Sequence, residues 1–414
     1  MQVSAKRAVV PDHMQILFLS NWFPYPPDNG ARLRTYNLVR QLAPRHDIAL
    51  LSFVHPEQPQ PDLTPLASYC ETVKTVRSRP FRPHSPRAML GTLSAQPRAV
   101  LAMYSPEMEA MFRTALQTGS YDLIIASEIG IGAGVASYIR GDEGVPCVLE
   151  DLELSMILSQ AQVQSSWWGQ WRCWLTWWKQ QGFARRLLRR MSGCTVASKE
   201  ESRLVQRVAP SGLPLAVVPN GVDLHFYAGD WGPVQSDSLI FSGALSYDAN
   251  LEGMRFFLSQ VYPLVKAERP GVLLRITGRT DGVPVETLPA SQGVVLTGFL
   301  DDVRPAIAQS WVSIVPLQRG GGTRLKILEA MALGTPVVST TKGAEGIEAT
   351  PGEHILIADE PATFAGAILR LLGDAELRAR VGANGQRLVR ERYGWEEIGR
   401  RLDEFLSQIV RNRG

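Results

Sequence analysis

The densest chemistry in the 414-residue chain lies at Arg319-Gly320-Gly321-Gly322-Thr323-Arg324-Leu325-Lys326, which leads into a helical pattern carrying Glu329. Consecutive glycines let backbone N–H groups come close to a ligand. Thr323 is placed to cap the helix that follows. A helix N-terminus behind a glycine loop favours an anion. Arg324 and Lys326 put two cations into the first turn, where they oppose the helix dipole unless an anion sits beside them. The pattern points to a phosphate. The competing reading is a glycine-rich turn with solvated charges.

A second group sits at Val148-Leu149-Glu150-Asp151-Leu152-Glu153-Leu154. Three carboxylates crowd what reads as a strand end, and like charges that close raise at least one pKa. One of Glu150, Asp151 or Glu153 is suited to orient a hydroxyl or take its proton. The competing reading is a helix start enriched in acids for dipole reasons. Glu128, after the apolar run Leu123–Ala126, is a further candidate of the same kind. Gly130, Gly132 and Gly134 follow it without the spacing or the acid of a dinucleotide fingerprint.

The third anomaly is Trp167 to Trp178, which holds six of the ten tryptophans. Trp167, Trp171, Trp174 and Trp178 repeat at the spacing of one helical face. Arg172, Lys179, Arg185, Arg186, Arg189 and Arg190 add only positive charge. An aromatic stripe with basic residues is the composition of a membrane-interface helix. A core helix or an oligomer contact would bury the same stripe.

These groups need elements to hold them. Ile16–Leu19, Ile48–Val54, Leu123–Ala126 and Cys147–Leu149 are short apolar runs, the mark of strands buried on both faces of a parallel sheet. Helical stretches separate several of them, and the Pro-rich residues 56–100 read as loops with short helices. A second series follows at Leu239–Phe241, Leu273–Ile276, Val294–Leu296, Val312–Val315, Pro336–Val338 and His354–Ile357. Two such series predict two doubly wound α/β domains with a cleft between them. Ligands in such sheets bind at strand carboxyl ends.

Composition agrees: 45% hydrophobic and 20% charged residues suit a globular protein. The net charge of +3 argues against a dedicated nucleic-acid binder. Four scattered cysteines predict neither a disulfide framework nor a structural zinc site, and suit a reducing cytoplasm. The first thirteen residues read as an extension and not as a signal peptide. No apolar run is long enough for a transmembrane helix.

The segment Gly320–Val338 resembles the donor-site signature of glycosyltransferase family 4, the group 1 retaining transferases of GT-B fold. Pro26–Arg32, Val218–Asp223 and Tyr393–Glu396 are similar to supporting motifs of that family. The resemblance covers about residues 15 to 410. It implies an acceptor-side domain over 14–230, completed by a C-terminal helix over 395–412, and a nucleotide-sugar domain over 231–394. It implies that Glu329 holds the nucleotide ribose, and that Arg324 and Lys326 take the diphosphate. Gly321, Gly322 and Thr323 would contact the sugar or phosphate through their backbone, and Leu300 the base through its main chain. Gly243 would line the donor site, with Gly30 and Arg32 in the loop that faces the phosphates. Arg34 would be an acceptor or phosphate contact, or a solvated helix charge.

This sequence departs from the family's pattern twice. Gly321 stands where the first Glu of the E-x7-E motif belongs, and Leu152 where many members have a His. The resemblance implies a nucleoside diphosphate-sugar co-substrate, no further cofactor, no metal, and a glycan or lipid-linked acceptor. An anionic membrane surface is the partner expected through 167–190, placing the protein peripherally at the inner face of the cytoplasmic membrane. The alternatives are a sugar-nucleotide epimerase or hydrolase, and a non-catalytic nucleotide-sugar-binding protein.

Overall fold

A computed structural model of the chain describes residues 13–94, 96–127, 134–155, 167–289, 292–320 and 324–412. It divides into two compact units, one running to Pro219 and resuming at Ile398, the other spanning Asn220–Glu397.

The first unit is built on seven strands: β1 (Gln15–Ser20), β2 (Asp47–Val54), β3 (Thr72–Arg77), β4 (Leu123–Ser127), β5 (Cys147–Glu150), β6 (Gly193–Val196) and β7 (Leu215–Val217). All pair in parallel, in the order β3-β2-β1-β4-β5-β6-β7. Strands covered on both faces need continuous apolar runs, and Ile16, Leu17, Phe18 and Leu19 are all buried. β3 lies at an edge and alternates between exposed and half-buried positions. Its mixed sequence therefore hid it within the stretch expected to hold only loops and short helices.

The helices that bear on the site are α1 (Gly30–Leu42), α2 (Pro86–Leu93), α3 (Arg98–Met103), α4 (Pro106–Thr118), α5 (Trp167–Leu188) and α6 (Lys199–Gln206). Strand order reverses between β1 and β4, so the sheet's crevice opens at the carboxyl ends Ser20 and Ser127.

The second unit has six parallel strands: β8 (Gln235–Ser242), β9 (Leu273–Thr277), β10 (Val294–Gly298), β11 (Ser310–Val315), β12 (Val337–Ser339) and β13 (Leu356–Ile357). Their order is β10-β9-β8-β11-β12-β13. The switch point lies between β8 and β11. Among the described residues seven α-helices accompany them: α7 (Asp248–Phe256), α8 (Tyr262–Glu268), α9 (Arg304–Ala308), α10 (Leu325–Ala332), α11 (Pro361–Gly373), α12 (Ala375–Arg392) and the start of α13 (Trp395–Arg411). At the carboxyl end of β9, Gly278 has φ +125°, and a Cβ there would stand 2.5 Å from the Gly243 carbonyl oxygen. Only glycine lets the two strand ends approach this closely.

The units divide at Pro219/Asn220 and not at 230/231, because the linker is already part of the second core. Val222 N–H donates to the Tyr393 carbonyl at 2.8 Å, and Leu224 and Tyr227 pack on the same cluster. From Ile398 the chain rejoins the first unit, three residues after the expected 395. There Asp403 accepts from Arg45 Nη1 at 2.7 Å and from His46 Nε2 at 2.8 Å. His46 Nδ1 accepts from Met14 N–H, which leaves Nε2 as the protonated nitrogen. Gly193 in β6 leaves room for Ile409 and Phe405, either of which a Cβ would meet at 3.0 Å or less.

Candidate functional site

In the second unit the switch point gathers Gly243 from the end of β8, Asn250 from α7, and Arg324, Lys326 and Glu329 from the start and body of α10. The helix opens at Leu325 with Arg324 in the capping position, one residue later than the Thr323 cap expected. Gly321, Gly322 and Thr323 lie outside the described residues.

Lys326 Nζ donates to Asn250 Oδ1 at 2.8 Å and lies 4.3 Å from the centre of the Phe241 ring. A Cβ on Gly243 would meet that Nζ at 2.5 Å, so the glycine is what lets the lysine lie across the strand end. Burial, reinforced by the Arg324 charge, lowers the Lys326 pKa to about 7. An ammonium there is held without an adjacent carboxylate strong enough to restore it. A bound anion would do so. The Arg324 guanidinium is buried over Gly320, beside the Tyr247 hydroxyl.

Glu329, one turn along α10, accepts a 3.0 Å hydrogen bond from Tyr227 Oη. Burial raises its pKa against the opposing effects of Tyr227 and Lys326. Burial and the Glu329 charge raise that of Tyr227 too, so the phenol stays a donor. Sequence reasoning missed Tyr227, whose only signal was its place just after the Val218–Asp223 motif. Leu300 sits half-buried in the loop after β10, next to Phe299, which is exposed with the Arg279 guanidinium over its ring.

The first unit corrects several expectations. Arg34 is neither solvated nor open to a phosphate: it is fully buried, donating from Nε and Nη2 to Glu150 Oε1 at 2.7 and 2.5 Å. Ser127 Oγ donates to Glu150 Oε2 at 2.7 Å. Both oxygens of Glu150 are thus engaged in the core, which removes it from the candidates for taking an acceptor proton. Asp151 Oδ2 stands 3.3 Å from Arg34 Nε. It has the left-handed backbone φ of +59°, uncommon for a residue with a side chain. Burial raises its pKa to about 6 although Arg34 opposes this, with Glu150 and Glu201 adding to the rise. For Arg34, burial opposes the charge, and the two carboxylates more than offset it.

The acids themselves are not helical; the chain becomes helical at Ser155, two residues after Glu153. Leu152 is buried in the core, and its N–H donates to the Thr195 carbonyl at 3.1 Å. Glu201, near the start of α6, receives the N–H groups of Leu154 and Ser155 at 2.8 and 2.9 Å. Glu153 is half-buried. Gly30 is the exposed first residue of α1, with open space where a Cβ would be. Arg32 is tied to Asp28 and Gln58. Glu128, Gly130 and Gly132 lie outside the described residues.

Along α5 the four stripe tryptophans are 66%, 53%, 61% and 60% exposed, in order from Trp167 to Trp178. The stripe is therefore not the core of this chain. Trp177 instead packs on the first unit's core with Phe183, Ala184, Leu187 and Leu188. Among the described residues no helix is long and apolar enough to cross a membrane.

Two all-parallel Rossmann-like units, the second with cations and a carboxylate at its switch point, define the GT-B class of fold. Residues 236–374 match the family described as Glycosyl transferases group 1. It is 29% identical over 213 residues to the MMP alpha-(1->4)-mannosyltransferase of Mycolicibacterium hassiacum, covering 49% of this chain and 51% of that one. A GDP-mannose-dependent monoacylated alpha-(1-6)-phosphatidylinositol monomannoside mannosyltransferase of Corynebacterium glutamicum is 31% identical over 168 residues, with 37% and 44% covered. The chain thus spans about half the length of the curated relatives it matches. Among solved structures, Anabaena HepE in complex with UDP matches with TM-score 0.65 and 19% identity, covering 95% of this chain and 100% of that one. Sucrose-phosphate synthase of Thermosynechococcus elongatus matches with TM-score 0.68 and 18% identity, covering 95% and 99%.

Proposed function

We propose that this protein transfers a sugar from a nucleoside diphosphate-sugar to a hydroxyl of a glycan or lipid-linked acceptor, with retention of configuration. The observation that carries the reading is the switch-point group Arg324, Lys326 and Glu329 on one helix. Arg324 and the recharged Lys326 stabilise the charge that develops on the departing diphosphate. Glu329, steadied by Tyr227, accepts from the ribose hydroxyls. The backbone of Gly321, Gly322 and Thr323 meets the sugar, and Leu300 the base. A leaving-group oxygen helps remove the acceptor proton, and Asp151 or Glu153 orients the acceptor hydroxyl. No metal takes part.

The names of the relatives support this reading, since two of them are mannosyltransferases and one acts on a lipid-anchored mannoside. The Anabaena neighbour was solved in complex with UDP, which suits a nucleoside diphosphate as the ligand class. The exposed tryptophans of α5, with Arg185 and Arg189 on the same face, suit an anionic membrane surface where a lipid-linked acceptor would lie.

Thermal unfolding in the presence of UDP, GDP, ADP and TDP, and of their sugars, identifies the donor, because a ligand of the native state raises apparent stability. Incubation of that donor with an acceptor panel, followed by anomer assignment, then tests transfer. Free sugar or an epimer formed without acceptor would replace transfer by hydrolysis or epimerisation. Nucleotide binding with no turnover would leave a binding protein.

A further inference from the structure

We propose that the cavity between α3 and the end of α5 binds the phosphate-bearing end of an anionic amphiphile. The proposal rests on the acceptor reading above and deepens it, by naming where the lipid end of the acceptor is held. The cavity encloses about 300 Å³ within the first unit. Val100, Leu101, Phe183 and Leu187 give it apolar walls, and Arg186 and Arg190 give it cations. None of its lining residues is acidic. Arg190 donates from Nη1 to the Ile139 carbonyl at 3.3 Å, which fixes the direction of its guanidinium.

Apolar walls with two arginines one turn apart match an oxyanion attached to a hydrocarbon, and the lipid-linked acceptor reading makes that oxyanion a phosphate. Guanidinium groups hold phosphate oxygens by charge-assisted hydrogen bonds, and the walls remove the first carbons from water. Size sets the limit. At roughly 30 Å³ per water-sized group, the space takes a phosphate and several carbons but no complete lipid chain, so the remainder must run outside. The helix provides for that. At 3.6 residues per turn, Trp167, Trp171, Trp174, Trp178, Arg185 and Arg189 fall within about 60° of one another. Arg186 is the cavity residue nearest that exposed face. A chain leaving the cavity past Arg186 enters the same layer that the tryptophans are suited to occupy.

The test titrates the full-length protein with dodecyl phosphate below its micelle concentration, with dodecyl maltoside, and with inorganic phosphate. Dodecyl phosphate is expected to bind at least tenfold more tightly than either. Leu101→Trp fills the cavity, and the pair Arg186→Gln with Arg190→Gln removes its charge; each should weaken dodecyl phosphate at least tenfold. Leu101→Trp should still float with anionic vesicles and still be stabilised by the nucleoside diphosphate that stabilises the wild type. Equal affinity for the phosphate and the maltoside, equal affinity for inorganic phosphate, or unchanged affinity in Leu101→Trp would overturn the proposal. Cavity variants that behave as expected in a protein that transfers no sugar would refute the acceptor reading and leave the cavity's ligand class standing.

Discussion

Lys326 should make donor binding take up a proton. Its pKa in the free protein is lowered to about 7 by burial and by Arg324, against about 10.4 for an unperturbed lysine. A diphosphate beside it favours the ammonium and returns the pKa toward that value. The sign follows from linkage. Below pH 7 the lysine is charged both free and bound, so affinity is flat. Above pH 7 the free lysine is neutral and binding must supply the proton, so affinity falls with rising pH.

At pH 8 about 0.9 proton should be taken up per donor bound, and between pH 7 and 9 affinity should fall about 50-fold, or ~2.3 kcal/mol. Calorimetry in buffers of differing ionisation heat counts the protons directly. A nucleoside diphosphate-sugar is the ligand to use, because it lacks the terminal phosphate ionisation near pH 6. Lys326→Met should bind weakly with no pH slope. Lys326→Arg, which stays charged, should lose the slope too. Proton uptake at pH 8 that persists in Lys326→Met would refute the argument.

The other predictions rest on different contacts. Tyr227→Phe removes the hydrogen bond to Glu329 Oε1 and should cost about 0.5–1.5 kcal/mol of donor affinity, read by titration, with the loss absent in a Glu329→Gln background. Arg34→Met strands two buried carboxylates and should cost about 3–5 kcal/mol of stability. Without the cation the Asp151 carboxyl, already raised to about 6 by burial, should rise further, so the deficit should be larger at pH 8 than at pH 5 in denaturant melts; an equal deficit would contradict the ion-pair account. The fourfold change of Trp167, Trp171, Trp174 and Trp178 to Ser should abolish flotation with anionic liposomes at low salt without lowering the unfolding midpoint, since those side chains are exposed. Transfer should continue in EDTA.

What could be read in advance follows from how each feature is encoded. Each apolar run of the two series falls on a strand; for β1, β4 and β5 the reason is burial on both faces of a parallel sheet, whereas the run of edge strand β10 leaves Val295 and Leu296 exposed. The α10 group was legible because Arg324, Lys326 and Glu329 are local in sequence and share one helix. The Arg34–Glu150 pair was not, since its partners stand 116 positions apart and nothing about an isolated arginine says that it will be buried. The 102-residue gap between Tyr227 and Glu329 hid that contact in the same way. The stripe of α5 showed as a stripe, but periodicity names a face without saying whether it points inward. Its exposure had to come from the structure.

The chain's return at Ile398 has a consequence for how the molecule is made. β6 is complete by Val196, yet Phe405 and Ile409, which fill the space over Gly193, are synthesised only after all of the second unit. The same holds for Asp403, the partner of Arg45 and His46. On the ribosome the first unit must therefore wait, its sheet exposed along that side, while the second unit, contiguous from Asn220 to Glu397, folds ahead of it. The order of completion is the reverse of the order of synthesis. A released chain truncated between residues 397 and 405 would hold all of the second unit but lack the residues that close the first.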